Sequence, residues 1–170
     1  SSYFDLVADI LAPSSFGSPV TTVIRSGCYI THDHSMFRRT SPFGDRLVPG
    51  IDERLEPAFE LWATVWSRPE PELAIVGFGK RDAPYDYGLP IPLRAVARGK
   101  TASRDLGPGF RVTGLNDQHA FVTVPPGDGL AVGDVVVLGI SHPCTAFDKW
   151  RSIPIVDDNH TVVDVVDTYF

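Results

Sequence analysis

The chain has 170 residues, 43% of them hydrophobic, and carries 15 Lys and Arg against 21 Asp and Glu for a formal charge of -6. This is enough to bury a core as one domain with a short appended segment. The acidic balance, with no basic run and no aromatic-basic interleaving, excludes a nucleic-acid footprint, and no stretch approaches the roughly 18 apolar residues that span a bilayer. The start, Ser1-Ser2-Tyr3-Phe4-Asp5, lacks the basic and apolar regions of a secretory signal, so a cytoplasmic protein is expected. Two cysteines, Cys28 and Cys144, argue against a disulfide-stapled scaffold and leave one bridge at most.

In chain order, Phe4, Leu6, Val7, Ile10 and Leu11 form a helical apolar stripe that ends at Pro13. The chain thus opens inside structure, as a fragment or a processed product does. Pro13 to Pro19 reads as a loop, Val20 to Ile24 as a short β-branched strand, and Cys28 to His32 as a further extended stretch after the break at Arg25-Ser26-Gly27. A long irregular connection follows, marked by Ser41-Pro42-Phe43-Gly44 and Pro49-Gly50. Between Glu56 and Ser67 both periods fit, and alternation of Phe59, Leu61, Ala63 and Val65 favours a strand. Further strands are predicted at 73–77, 92–97, 120–124, 135–140 and 161–166, each bounded by Gly, Pro, Asn or Asp. Short strands at turn-separated spacing predict a mainly β chain, an antiparallel barrel or sandwich.

His142-Pro143-Cys144 follows directly on the apolar run Val135 to Ile140. An imidazole and a thiolate two residues apart can face one point, and both suit a borderline-soft ion such as Zn²⁺. Two ligands leave positions open for water or substrate, the catalytic arrangement. Spacing alone equally allows a buried thiol beside a surface histidine. The polar run Asn116-Asp117-Gln118-His119 fits a hairpin connection, from which His119 could reach a site. In Arg25-Ser26-Gly27-Cys28-Tyr29 the glycine could let backbone N–H groups approach a phosphate. Within His32-Asp33-His34 only the two histidines could share an ion in an extended segment. Gly77-Phe78-Gly79-Lys80 lacks the full phosphate-loop spacing and no helical pattern follows it.

Taken together, four collinear pieces resemble the C-terminal part of the D-serine dehydratase family, shared with D-threonine aldolases and related D-amino-acid deaminases, pyridoxal-phosphate enzymes of the alanine-racemase fold type. They are Arg25 to Tyr29, Gly77 to Lys80 with Asp86-Tyr87-Gly88-Leu89-Pro90, the polar loop Leu115 to Ala120, and Val132-Gly133-Asp134 leading to His142-Pro143-Cys144. The resemblance implies that His142 and Cys144 are zinc ligands, the aldolases typically carrying Asp at the second position. It places Arg25, Gly27, Cys28 and Tyr29 where the chain leaves the last barrel strand and offers donors to the cofactor phosphate, with Ser26 in the place of the usual Pro. His119 would orient substrate or water. It implies that residues 1–27 are the last helix and strand of a preceding α/β barrel and 28–170 the C-terminal β-domain. The Schiff-base lysine would lie in that barrel, since Lys80, Lys100 and Lys149 match no such position. The implied reaction is zinc-assisted elimination of the β-hydroxyl of a D-amino acid such as D-serine, in a homodimer, with the isolated chain incomplete. An aldolase-type cleavage and a non-catalytic β-domain for dimer contacts are the alternatives.

Overall fold

The structure, a computed structural model, describes residues 2–12 and 17–169. Among them the chain runs α1 (Phe4–Ile10), a 3-10 turn (Gly27–Ile30), α2 (Met36–Thr40), β1 (Glu60–Glu70), β2 (Leu73–Val76), β3 (Ile91–Val96) and β4 (Ser103–Asp105). There follow β5 (Arg111–Leu115), β6 (Ala120–Thr123), β7 (Val135–Gly139), a second 3-10 turn (Pro143–Thr145), β8 (Ser152–Val156) and β9 (Val162–Asp167). The first seven strands form one antiparallel sheet in the order β4-β3-β7-β1-β2-β6-β5.

The long strand β1 makes that sheet curl. Its first half pairs with β7, from Glu60 opposite Gly139 to Thr64 opposite Val135, and its second half pairs with β2. Register irregularities between Val65 and Glu70 mark the change of partner, and extra residues of this kind bend a strand and increase its twist. The curl brings β3 towards β5 and gives a half-barrel. Inside it, alternate residues of each strand meet: Ala63 and Val65, Ala74 and Val76, Ala120 and Val122, Val136 and Leu138. Val65, Val76, Val122, Val136 and Leu138 are essentially inaccessible to water, each adding roughly 1.5–3 kcal/mol by burial. Trp62 and Trp66 point the other way and are exposed.

Strand β7 is buried on both faces, and the segment after the first 3-10 turn accounts for the second covering. His34 donates its backbone N–H to Ile140 O at 3.1 Å. A Cβ on Gly139 would stand 2.5 Å from His34 Nδ1, so only glycine lets the ring lie against the strand. Phe4 joins α1 to the same segment through Tyr29 and Phe43, at 5.9 and 5.0 Å between ring centroids. Asp5 accepts from Arg46 at 2.5 and 3.1 Å, and that hydrogen bond holds its carboxyl below the ordinary value. The remaining apolar side chains of α1, Leu6, Val7 and Ile10, stay exposed.

The turn Val132-Gly133-Asp134 launches β7. Gly133 takes φ +92°, and the buried Asp134 carboxylate accepts from the backbone N–H groups of Arg98 and Ala131, each at 2.9 Å. Strands β8 and β9 form a separate hairpin with most of its side chains exposed. A ring contact with the half-barrel pairs His160 with Trp62 at 4.7 Å.

The mainly β antiparallel architecture with a short N-terminal helix agrees with the sequence expectation. Three local expectations differ. Val20 to Ile24 is irregular and mostly exposed: β-branched residues favour a strand only where a neighbouring strand pairs with them. Cys28 to His32 is a tight turn, closed by Tyr29 N–H to Ser26 O and His32 N–H to Cys28 O, with His32 at φ +50°. Strands β4, β5 and β8 were not predicted. Ser103–Asp105 has no apolar residue, Arg111–Leu115 contains Gly114, and Ser152–Val156 contains Pro154. Of the loop expected from Pro13 to Pro19, residues 13–16 lie outside the described residues. Among the described residues no helix is long and apolar enough to cross a membrane.

Candidate functional site

Antiparallel pairing gathers the sequence motifs at one rim of the half-barrel. Gly139 at the end of β7 lies opposite Glu60 and Ile91 at the starts of β1 and β3. Val76 at the end of β2 lies opposite Ala120 at the start of β6, and Ala120 opposite Leu115 at the end of β5. The segments 77–90, 116–119 and 140–150 therefore leave the sheet on the same side. The bond from His34 to Ile140 draws residues 27–34 to that rim as well.

His142 and Cys144 sit where β7 runs into the second 3-10 turn, which Pro143 begins with its fixed φ. His142 Nδ1 and Asp86 Oδ2 are 2.6 Å apart, and Thr145 Oγ1 donates to Asp86 Oδ1 at 3.1 Å. Tyr87 meets the imidazole edge-on at 4.7 Å. Ser141 Oγ donates to Gly88 O at 2.6 Å and ties the two loops together behind the pair. Burial works to raise the Asp86 carboxyl, but the hydrogen bond from His142, with help from Thr145, outweighs it and holds the group below the ordinary value. An ionised Asp86 at Nδ1 fixes the tautomer and leaves Nε2 as the free donor atom of His142, the arrangement of a metal-binding histidine with its carboxylate support.

Cys28, 116 residues away in sequence, reaches the same place. Its Sγ lies 3.1 Å from Cys144 Sγ, both thiols being free. Burial first, then the hydrogen bond and charge of Cys144, push the Cys28 thiol up to about 12, and either sulfur can be the donor of this contact. Next to it Gly27 faces open space, and the amides of Gly27 and Cys28 have no acceptor among the described residues. Arg25 is exposed, with no hydrogen bond or ion pair among the described residues. Tyr29 is built into the fold: its ring packs on Phe4 and Phe43 and its hydroxyl lies 3.3 Å from Ser41 Oγ.

His119 occupies the tight turn between β5 and β6, where Nε2 meets Asn116 Nδ2 at 2.8 Å and the ring packs on Phe121. It shares the rim with His142 and Cys144 but touches neither; with Lys80 and residues 116–118 it lines an open groove. Gly77 to Lys80 supports that turn. Lys80 N–H donates to Asn116 O at 2.9 Å, and a Cβ on Gly79 would stand 2.5 Å from the Asp117 backbone. His32 is fully buried with both ring nitrogens unpartnered among the described residues, and burial holds His32 and His34 below the ordinary imidazole value. Among the described residues no three His, Cys, Asp or Glu side chains converge as a metal-holding group, so a metal at His142 and Cys144 would keep most of its positions open.

Asp86 is the residue of the candidate site to which sequence reasoning gave no role. It lies in the motif Asp86-Tyr87-Gly88-Leu89-Pro90, and its partner His142 is 56 positions along the chain.

No curated protein sequence matches the chain. Among solved structures, D-threonine aldolase from Filomicrobium marinum superposes with a TM-score of 0.63 at 24% identity, over 82% of this chain and 33% of that one. The chain thus spans about a third of that protein's length, and the likeness is one of fold. The family model of the putative serine dehydratase domain matches residues 58–156, from just before β1 to the end of β8. That stretch is more than half of the chain and holds His142, Cys144 and Asp86 together, and on it the chain belongs to the putative serine dehydratase domain family.

Proposed function

We propose that the chain is the metal-binding C-terminal β-domain of a pyridoxal-phosphate- and zinc-dependent D-amino-acid dehydratase, converting D-serine to pyruvate and ammonia. The observation that carries this reading is His142, oriented by Asp86 beside Cys144 on the rim of the family domain. Both residues fit zinc in donor chemistry, and the carboxylate behind the imidazole is the support such ligands require. Zinc held there would supply Lewis-acid stabilisation of charge at the substrate's β-hydroxyl or carboxylate, a contribution of several kcal/mol. Pyridoxal phosphate, when bound, supplies the electron sink for loss of the α-proton.

The chain's own part is positioning. The amides of Gly27 and Cys28 would receive the cofactor phosphate, Tyr29 props their turn from behind through Phe4 and Phe43, and the exposed Arg25 would add positive charge nearby. His119, on the same rim, would orient substrate or water. The catalytic lysine would come from a preceding barrel, of which residues 1–27 are the end; the exposed Leu6, Val7, Ile10, Val23 and Ile30 suit a surface that meets it. By itself the chain would be inactive.

Two measurements test the reading. Metal analysis of the purified chain should find zinc, and Asp86→Asn should lower zinc affinity roughly 10–100-fold with little change in folding. A chain that binds no zinc would instead favour a β-domain serving dimer contacts. The full-length parent protein should release pyruvate from D-serine. The structural likeness to a D-threonine aldolase favours a second reading, and predominant aldehyde release from D-threonine would establish it in place of the first.

A further inference from the structure

The two cysteines lie 116 positions apart in sequence, yet their sulfurs are 3.1 Å apart at the rim. Two independent devices hold them there. On one side, His34 N–H bonds to Ile140 O and its ring lies against Gly139, fixing the segment that carries Cys28. On the other, Pro143 and the Asp86 contacts to His142 and Thr145 fix the turn that carries Cys144. The sulfurs need to close by only about 1 Å to reach the ~2.0 Å of a disulfide. Cys144 is exposed, so an oxidant reaches it first.

We infer that Cys28 and Cys144 form a reversible disulfide that removes Cys144 from the metal, making zinc occupancy of this site subject to the thiol redox state. The inference rests on the zinc reading above. With glutathione disulfide as oxidant, the Cys144 sulfur attacks one glutathione sulfur, breaking that S–S bond and releasing one glutathione. Cys28 then attacks the Cys144 sulfur of the mixed disulfide and displaces the second glutathione. The protein loses two electrons and the Cys28 thiol proton, the zinc-bound Cys144 being already a thiolate; one glutathione disulfide takes up that proton and one from solvent to become two glutathiones, and the zinc ion leaves to solvent with His142 as its last protein ligand. Glutathione in excess reverses the exchange.

The test uses the purified chain, reduced and zinc-loaded, then treated with glutathione disulfide while a chromogenic chelator reads free zinc and mass spectrometry reads the peptides. The expected result is a Cys28–Cys144 cross-linked peptide, two hydrogens lighter than the reduced pair, appearing mole for mole with released zinc. C28S should form no cross-link and should carry only glutathione at Cys144. Glutathione then restores two thiols and zinc binding in the wild type. Persistence of two free thiols, or of glutathione adducts alone, in zinc-free wild-type chain would overturn the inference while leaving the zinc reading intact. A cross-link that forms with zinc still bound would overturn the competition. If the reduced chain never takes up zinc, the metal reading fails and the competition with it, and the cross-linked peptide shows that it was the metal and not the thiol pair that was misread.

Discussion

On the proposed zinc reading, His142→Ala is expected to abolish zinc binding by the chain and D-serine deamination by the full-length protein, with the fold preserved. His142 is half-buried at the start of a turn rather than in the core, and the core cluster of Val65, Val76, Val122, Val136 and Leu138 lies on other side chains. With two protein ligands, loss of either leaves one, and the affinity should fall by more than the ~100-fold that marks the upper range for supporting residues. Cys144→Ala should behave in the same way. Isothermal titration with zinc, read beside circular dichroism of the apo proteins, checks both halves of the expectation. Zinc binding within tenfold of wild type in His142→Ala would remove the imidazole from the site.

Gly139→Ala should cost the rim a measurable loss of stability. The added Cβ would stand 2.5 Å from His34 Nδ1, and neither neighbour yields cheaply: the strand is paired on both sides, and His34 is anchored through its own backbone N–H. Overpacking of this kind costs typically 1–3 kcal/mol, which for a domain of this size lowers Tm by roughly 2–4 °C per kcal/mol. Because the residues from Cys28 to His34 ride on that contact, thiol cross-linking between Cys28 and Cys144 should fall together with Tm. His34→Ala combined with Gly139→Ala should recover part of the loss, and a thermal melt of the two singles and the double measures the coupling. Additive losses would show that the ring and the glycine do not depend on each other.

Much of the half-barrel was legible in the sequence because its strands carry the period of two that burial on one face imposes. Ala63 and Val65, Ala74 and Val76, and Ala120 and Val122 each alternate with exposed or half-buried neighbours. Strand β7 was legible for a different reason: an uninterrupted apolar run is what a strand covered on both faces requires. The edge strand β4 carries no such signal, since Ser103, Arg104 and Asp105 are all exposed and only pairing with β3 defines it. Val20 to Ile24 shows the converse, a strand-like composition that no strand pairs with.

The site divides along the same line. His142 and Cys144 were legible because their association is local, two residues apart at a strand end. Asp86 and Cys28 were not legible as partners, because which chain segments share a rim is a property of strand order, and β7 lies between β3 and β1 only once the sheet is assembled. His32-Asp33-His34 illustrates how spacing misleads: Asp33 serves the backbone, accepting from Ser35 and Phe37 N–H groups, and His32 is held in a left-handed conformation instead of an extended one.

The bend in β1 divides the molecule between two tasks. Turns at the far rim, such as Pro71-Glu72 and Val132-Gly133-Asp134, close the sheet. Segments at the near rim carry every side chain with a chemical assignment, and none of those side chains belongs to the buried cluster. Substitutions that retune the chemistry can therefore accumulate on one edge without taxing the core.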